Sequence, residues 1–384
     1  MDSYAGDMSE VAKRTGMSAA RRRAGVFGAV VGVAAAGVAA GVAVERVLTR
    51  RGRRSTDLHA EERFGVQPFD ESRVVTTEDG IELYVEIVDP ADGVAIDPGF
   101  PSGALSSGSP QPTLIFIHGF CLDMGTFYFQ RKELTRLGDY RMIFYDQPGH
   151  GRSSRLLTGE YSMESLAHAL RQVIDDCASD EPIVLVGHSM GGMAIMALAE
   201  LYPHMFVDRV AGAVMISTSA GRLEATRFGL PEILARAGRP LLPLLDNATR
   251  VTSTMVDRAR AASTNLAWLL TRRYGFGTSH PSAALVSFVE RMNTGTATET
   301  VARYLRTLYT HARYPALDAL RAVPVLVIVG DKDPITPASH SAEICRRVPD
   351  AQLLTVPDSG HVVLLEHSEV VTAALLEFLE KISA

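Results

Sequence analysis

Along most of the chain, short and almost wholly apolar runs alternate with longer segments whose apolar residues recur every three or four positions. The runs are Thr113–Ile117, Arg141–Tyr145, Ile183–Val186, Ala213–Ile216, Val325–Val329 and Gln352–Val356. A strand with one wet face would alternate apolar and polar residues. These do not, so they predict strands buried on both faces, as in a parallel sheet covered by helices. Helical patterns lie between them at Met163–Cys177, Met193–Tyr202, Ala338–Arg347 and Val363–Ile382. Upstream, Val74–Thr77 and Ile81–Val88 flank Asp79-Gly80 and predict a hairpin. The stretch 89–112 is rich in Pro, Gly and Ser and predicts an exposed loop.

One interval breaks this rhythm. Between Ser217 and Ala322 there is no convincing strand, but Leu285, Phe288, Val289 and Met292 fall on one face of a helix. Val301, Leu305, Leu308 and Tyr309 do the same. The interval predicts a helical insertion over one edge of the sheet. The fold class is therefore α/β, a mostly parallel, doubly wound sheet with helices inserted between its sixth and seventh strands.

Composition narrows the picture. Of 384 residues, 46% are apolar and 21% charged, which excludes a disordered polymer and a polytopic membrane protein. The net charge of −6 is uneven: residues 1–63 carry a net +4 and residues 64–384 a net −10. An acidic globular part lacks the basic face that phosphate binding needs, so no nucleic-acid partner is expected. Cys121, Cys177 and Cys345 have neither metal-ligand spacing nor the even number of a disulfide framework.

From Ala24 to Val44 no residue is charged, and as a helix this stretch would span about 31 Å, close to the thickness of a bilayer core. Arg21, Arg22 and Arg23 precede it and Arg46, Arg50, Arg51, Arg53 and Arg54 follow it. These flanks predict a single-pass N-terminal membrane anchor. The alternative is an exported protein whose Arg-led leader is cleaved. Residues 1–23 then form a basic tail, 24–44 the span and 45–72 a linker, with the globular part beginning at Arg73.

The chemistry collects at the ends of the predicted strands. Ile183–Val186 runs into Gly187-His188-Ser189-Met190-Gly191-Gly192, and a helix pattern follows at once. Glycines on both sides let the chain turn sharply and expose the Ser189 hydroxyl at the end of the strand. A serine becomes a nucleophile when a base takes its proton and an acid orients that base. His361 lies in the loop after Gln352–Val356, where parallel sheets place their sites. Asp331 and Asp333 both follow Val325–Val329 and both qualify as the acid by position; Asp333 is preferred, with Asp331 a turn residue. Negative charge on an attacked carbonyl needs backbone N–H donors, expected from Met190 and from Phe120 in the loop His118-Gly119-Phe120-Cys121. His118 and Cys121 are read as loop packing.

With these motifs and Asp146-Gln147-Pro148-Gly149-His150-Gly151-Arg152-Ser153, the chain from Arg73 onward resembles the α/β-hydrolase superfamily. The order of serine, acid and histidine matches that superfamily. The resemblance implies Ser189 as nucleophile, Asp333 as acid, His361 as base, and Phe120 and Met190 at the oxyanion hole. It makes 73–217 and 323–384 the core, 218–322 a helical cap, and the turn at Asp146–Ser153 structural, with no chemistry at His150. Ser189 departs from the Asp nucleophile of epoxide hydrolases and haloalkane dehalogenases on this fold. No cofactor and no metal are expected. The favoured activity is hydrolysis of carboxylic esters, of small molecules or lipids, through an acyl-enzyme. Thioesterase, acyltransferase, C–C hydrolase and cofactor-free haloperoxidase-like reactions are alternatives on the same triad. A non-catalytic binding protein would predict a broken triad, and here all three positions are intact.

Overall fold

The structure, a computed structural model, describes residues 57–65, 67–91, 111–155, 161–178, 180–223 and 264–383. Eight strands form one sheet: β1 (Glu71–Thr76), β2 (Glu82–Val88), β3 (Thr113–Ile117), β4 (Met142–Tyr145), β5 (Ile183–His188), β6 (Val210–Ile216), β7 (Val325–Gly330) and β8 (Gln352–Val356). Their order across the sheet is β1-β2-β4-β3-β5-β6-β7-β8. The β1–β2 hairpin and the β2–β4 pair are antiparallel, and every later pairing is parallel.

Burial on both faces explains the unbroken apolar runs. On β3, Ile115 and Ile117 enter one hydrophobic layer while Leu114 and Phe116 enter the other. β5 divides in the same way, with Leu185 on one face and Val184 and Val186 on the opposite one. Helices supply the rest of both layers. Among the longer ones, α1 is Tyr128–Leu137, α2 Met163–Cys177, α3 Met190–Leu201, α4 Thr264–Gly275, α5 Ala283–Gly295, α6 Thr298–Tyr309, α7 Ala338–Arg347 and α8 Ser368–Ser383. Residues of α2, α3 and α7 pack into the first layer, and those of α1, α5 and α8 into the second.

Three helices depart from the periodic pattern. α1 carries no apolar stripe because two of its buried positions are Gln130 and Arg131. Gln130 donates to the Leu364 carbonyl at 3.0 Å, and the Arg131 guanidinium meets Glu86 on β2 at 2.6 Å. α3 starts three residues earlier than its apolar pattern, directly after Ser189. The last predicted helix is broken at His367, where ψ is 52°. Its first turn, Val363–Glu366, is pinned because the Glu366 carboxylate accepts the backbone N–H groups of Gly277, Thr278 and Gly360 at 3.0, 2.8 and 2.7 Å.

α4, α5 and α6 all lie in sequence between β6 and β7, where a helical insertion was expected. The membrane localisation expected for the N-terminal stretch is corrected. Residues 24–44 lie outside the described residues, and among the described residues no helix is long and apolar enough to cross a membrane. The run is long enough, but apart from Phe27 it is built of Ala, Gly and Val with no Leu or Ile, so its insertion energy is marginal. The anchor is not retained.

The Glu86–Arg131 pair ties β2 to α1 with both side chains about 5% exposed. Removing one partner leaves a buried charge, so Arg131→Met is expected to destabilise the fold by about 3–5 kcal/mol. The double variant Glu86→Leu/Arg131→Met should recover most of that loss. Denaturant unfolding of the two variants checks the pair.

Candidate active site

Strand β5 ends in the middle of the sheet, and the chain reverses there within one residue. Ser189 holds φ 52° and ψ −114°, outside the ordinary regions for a residue with a side chain. Such a conformation costs about 1–3 kcal/mol and persists only where the surroundings enforce it. Here the Ser189 N–H donates to the Ile216 carbonyl at 2.9 Å, and the Thr218 hydroxyl donates to the Ser189 carbonyl at 2.7 Å. The first turn of α3 lies so close to β3 that a Cβ on Gly191 would stand 1.9 Å from the Ile117 carbonyl oxygen. Only glycine fits there.

The turn presents the Ser189 hydroxyl to His361, whose Nε2 lies 3.0 Å from Oγ. His361 comes from the loop after β8. Its Nδ1 lies 2.8 Å from Oδ2 of Asp333, in the loop after β7. Nδ1–H donates to the carboxylate, which leaves the Nε2 lone pair facing the serine proton. A hydroxyl so placed can give up its proton as it attacks an electrophile.

Asp333 is fully buried and well supplied with donors. Its Oδ1 accepts the N–H groups of Ile335 and Thr336 at 2.8 and 2.9 Å, and the Thr336 hydroxyl lies 2.8 Å from Oδ2. Burial pushes the carboxyl pKa up, but His361 and these donors outweigh it and hold the group below the usual carboxylate range. Asp331 is exposed, and its carboxylate accepts the Ser359 N–H at 3.3 Å. Of the two candidates, Asp333 is the one brought to His361.

Residues 112–368 match the family model described as the alpha/beta hydrolase fold. The chain belongs to this family. One relative of this α/β-hydrolase is the dihydrolipoyllysine-residue acetyltransferase component of an acetoin cleaving system from Pseudomonas putida, 30% identical over 71% of this chain and 65% of that protein. Another is an sn-1-specific diacylglycerol lipase from Mus musculus, 26% identical over 72% of this chain and 83% of the lipase. The chain spans less than two thirds of the length of several curated relatives that it matches, the first of these two included. Among solved structures, a thermophilic esterase from Thermogutta terrifontis superposes with a TM-score of 0.59 at 24% identity, over 82% of this chain and all of the esterase.

Around the serine, the α/β-hydrolase has a cavity of about 530 Å³. Phe120, Met193 and Val362 line it from the core side, and Leu270, Val289 and Leu308 from the insertion. No Asp, Glu, Lys or Arg among the described residues lines it. The apolar stripe of α6 explains itself here: Leu305, Leu308 and Tyr309 face the cavity, while the fully buried positions of that helix are Thr300 and Tyr304. The backbone N–H groups of Phe120 and Met190 have no hydrogen-bond partner among the described residues. Phe120 lines the cavity, and Met190 follows the serine.

Three neutral histidines brace this arrangement. His118 donates from Nδ1 to the Gly119 carbonyl at 2.8 Å and accepts the Gln147 N–H at Nε2 at 2.8 Å. His150 donates to the Pro148 carbonyl and accepts the Cys121 N–H at 3.1 Å, which fixes the backbone next to Phe120. His188 donates from Nε2 to the His361 carbonyl at 3.0 Å. Burial pushes His150 down to about 4, and burial together with His361 pushes His188 down to about 3, so both stay uncharged at neutral pH. Sequence reasoning missed His188 and Thr336. The Asp-x-x-Thr spacing of Asp333 and Thr336, a common side-chain-to-backbone cap, was the signal available for the second.

Because the Asp333 pKa is depressed on folding, its ionised form contributes stability that is present above the unfolded value near 3.8 and is lost as pH falls through the lower folded value. The stability difference between wild type and Asp333→Asn is therefore expected to be constant from pH 5 to 7 and to shrink below about pH 4. Denaturant titrations across that range measure it.

Proposed function

We propose that the protein is a serine hydrolase that cleaves carboxylic esters with uncharged, apolar acyl groups. The observation that carries this reading is the continuous chain of contacts from Ser189 Oγ to His361 Nε2 at 3.0 Å and from His361 Nδ1 to Asp333 Oδ2 at 2.8 Å. Ser189 attacks the ester carbonyl while His361 takes its proton, and Asp333 stabilises the imidazolium that forms. The N–H groups of Phe120 and Met190 receive the oxyanion. His361 then gives its proton to the departing alkoxide, leaving an acyl group on Ser189. A water molecule, deprotonated by the same histidine, releases the acid and restores the serine.

Two features support the substrate class. Among the described residues the cavity has a mostly apolar lining without Asp, Glu, Lys or Arg, which suits an alkyl or aryl chain and disfavours an ionic one. Lipases and esterases also stand among the relatives and structural neighbours. On this reading residues 218–322 are a cap over the site, and 73–217 with 323–384 the catalytic core.

Ser189→Ala should abolish turnover of p-nitrophenyl esters and labelling by a fluorophosphonate, with circular dichroism unchanged. Asp333→Asn should lower kcat by about 10⁴-fold, as loss of the orienting charge does in other triads. Asp331→Asn should change it by less than about threefold, within the range of a residue that does not touch the triad. Labelling that survives in Ser189→Ala, or a larger effect at Asp331 than at Asp333, would refute the assignment.

A further inference from the structure

Residues 57–69 precede the sheet, and their charged, irregular sequence gives no hint of packing. In the structure they cross from the start of α5 to α1 and touch both. Asp57 Oδ2 accepts the Ala284 N–H at 2.7 Å, one of the first-turn donors of α5 that have no partner within the helix. Ser282 caps the Leu285 N–H at 3.1 Å, so one carboxylate and one hydroxyl take two of the free donors. Further on, the Phe64 ring stacks on Phe288 of α5 with centroids 4.7 Å apart and planes at 16°. The same ring leans on Tyr128 of α1 at 4.8 Å. Glu62 accepts the Tyr128 hydroxyl at 2.8 Å, Gln67 donates to the Tyr128 carbonyl at 2.7 Å, and Arg131 donates to the Pro68 carbonyl at 2.6 Å.

α5 presents two faces to two cavities. Val289, Asn293 and Thr294 line the cavity of Ser189. Phe288, Arg291 and Met292 line a second one, about 540 Å³, together with Phe64 and Phe69 of the preceding segment. A shift of α5 relative to the core therefore changes the wall facing the serine, and the segment 57–69 joins that helix to α1 on the core.

The geometry points to residues 57–69 as a strap that fixes α5, with Asp57 and Phe64 as positioning residues that set the length of acyl chain the Ser189 cavity accepts. This rests on the ester-hydrolase reading. Ser189 and the α5 residues Val289, Asn293 and Thr294 line one cavity, so a long acyl group fills more of it and meets more of that wall than a short one. Loosening the strap therefore affects long chains selectively.

The test uses the full chain with Phe64→Ala, Asp57→Ala and Asp57→Asn. Asparagine can still accept the Ala284 N–H, so it is the conservative rescue. Amide hydrogen exchange across residues 285–294 should rise by about tenfold or more in the two alanine variants and stay at the wild-type rate in Asp57→Asn. KM for p-nitrophenyl octanoate should rise by about tenfold in the alanine variants, while kcat/KM for p-nitrophenyl acetate stays within about twofold. An equal loss on both esters, or unchanged exchange in α5, would overturn the strap. If the wild type hydrolyses neither ester, the ester reading fails, and the exchange measurement alone decides whether the strap holds α5.

Discussion

Everything at the site follows from the backbone of one residue. Ser189 is forced into φ 52° because its N–H is taken by β6, its carbonyl by Thr218, and the next turn of chain by β3. β5 lies between β3 and β6, so the serine stands at the centre of the sheet and the loops after β7 and β8 are close enough to deliver a carboxylate and an imidazole. Moving β3 or β6 would release the turn and with it the direction of the hydroxyl. The sheet thus supplies more than support. It supplies the confinement that keeps a strained residue in place, and the dispersion and burial of its two apolar layers offset the cost.

The second constraint is electrostatic. The loops that hold the serine and its partners contain three buried histidines besides His361, and the buried carboxylate of Asp333. If any of the three became charged, it would compete with His361 for that carboxylate or repel it. His118 and His150 are committed through both ring nitrogens to backbone groups, His118 to Gly119 and Gln147 and His150 to Pro148 and Cys121, while His188 uses Nε2 alone, on the carbonyl of His361 itself. Burial holds the rings neutral against the pull of these carbonyls, while the bonds shape the Gly119–Cys121 loop and the His361 loop.

Much of this was legible in the sequence, and what was not has a common cause. The strands were visible because burial on both faces demands apolar residues at every position, and the turn at Ser189 because it demands glycine. The α/β-hydrolase fold followed from the two together. α1 was invisible because Gln130 and Arg131 occupy positions where periodicity looks for an apolar residue, and their partners, Leu364 and Glu86, are remote in sequence. The break at His367 was hidden for the same reason: its cause, the grip of Glu366 on Gly277 and Gly360, involves a loop far upstream of it. Residues 57–69 read as a charged linker because the α5 partners of Asp57 and Phe64, Ala284 and Phe288, lie more than two hundred positions away. Apolar patterns report burial. They do not report polar contacts made across the chain.

The uncharged lining of the Ser189 cavity also bears on how a catalytic cycle ends. On the proposed ester-hydrolase reading the product is a carboxylic acid that ionises at neutral pH, in a chamber whose described walls hold no lysine or arginine. The new anion lies near the ionised Asp333, is poorly hydrated, and finds no countercharge. The chamber that welcomes the substrate therefore repels what it becomes. On that reading, ionisation of the product favours its release.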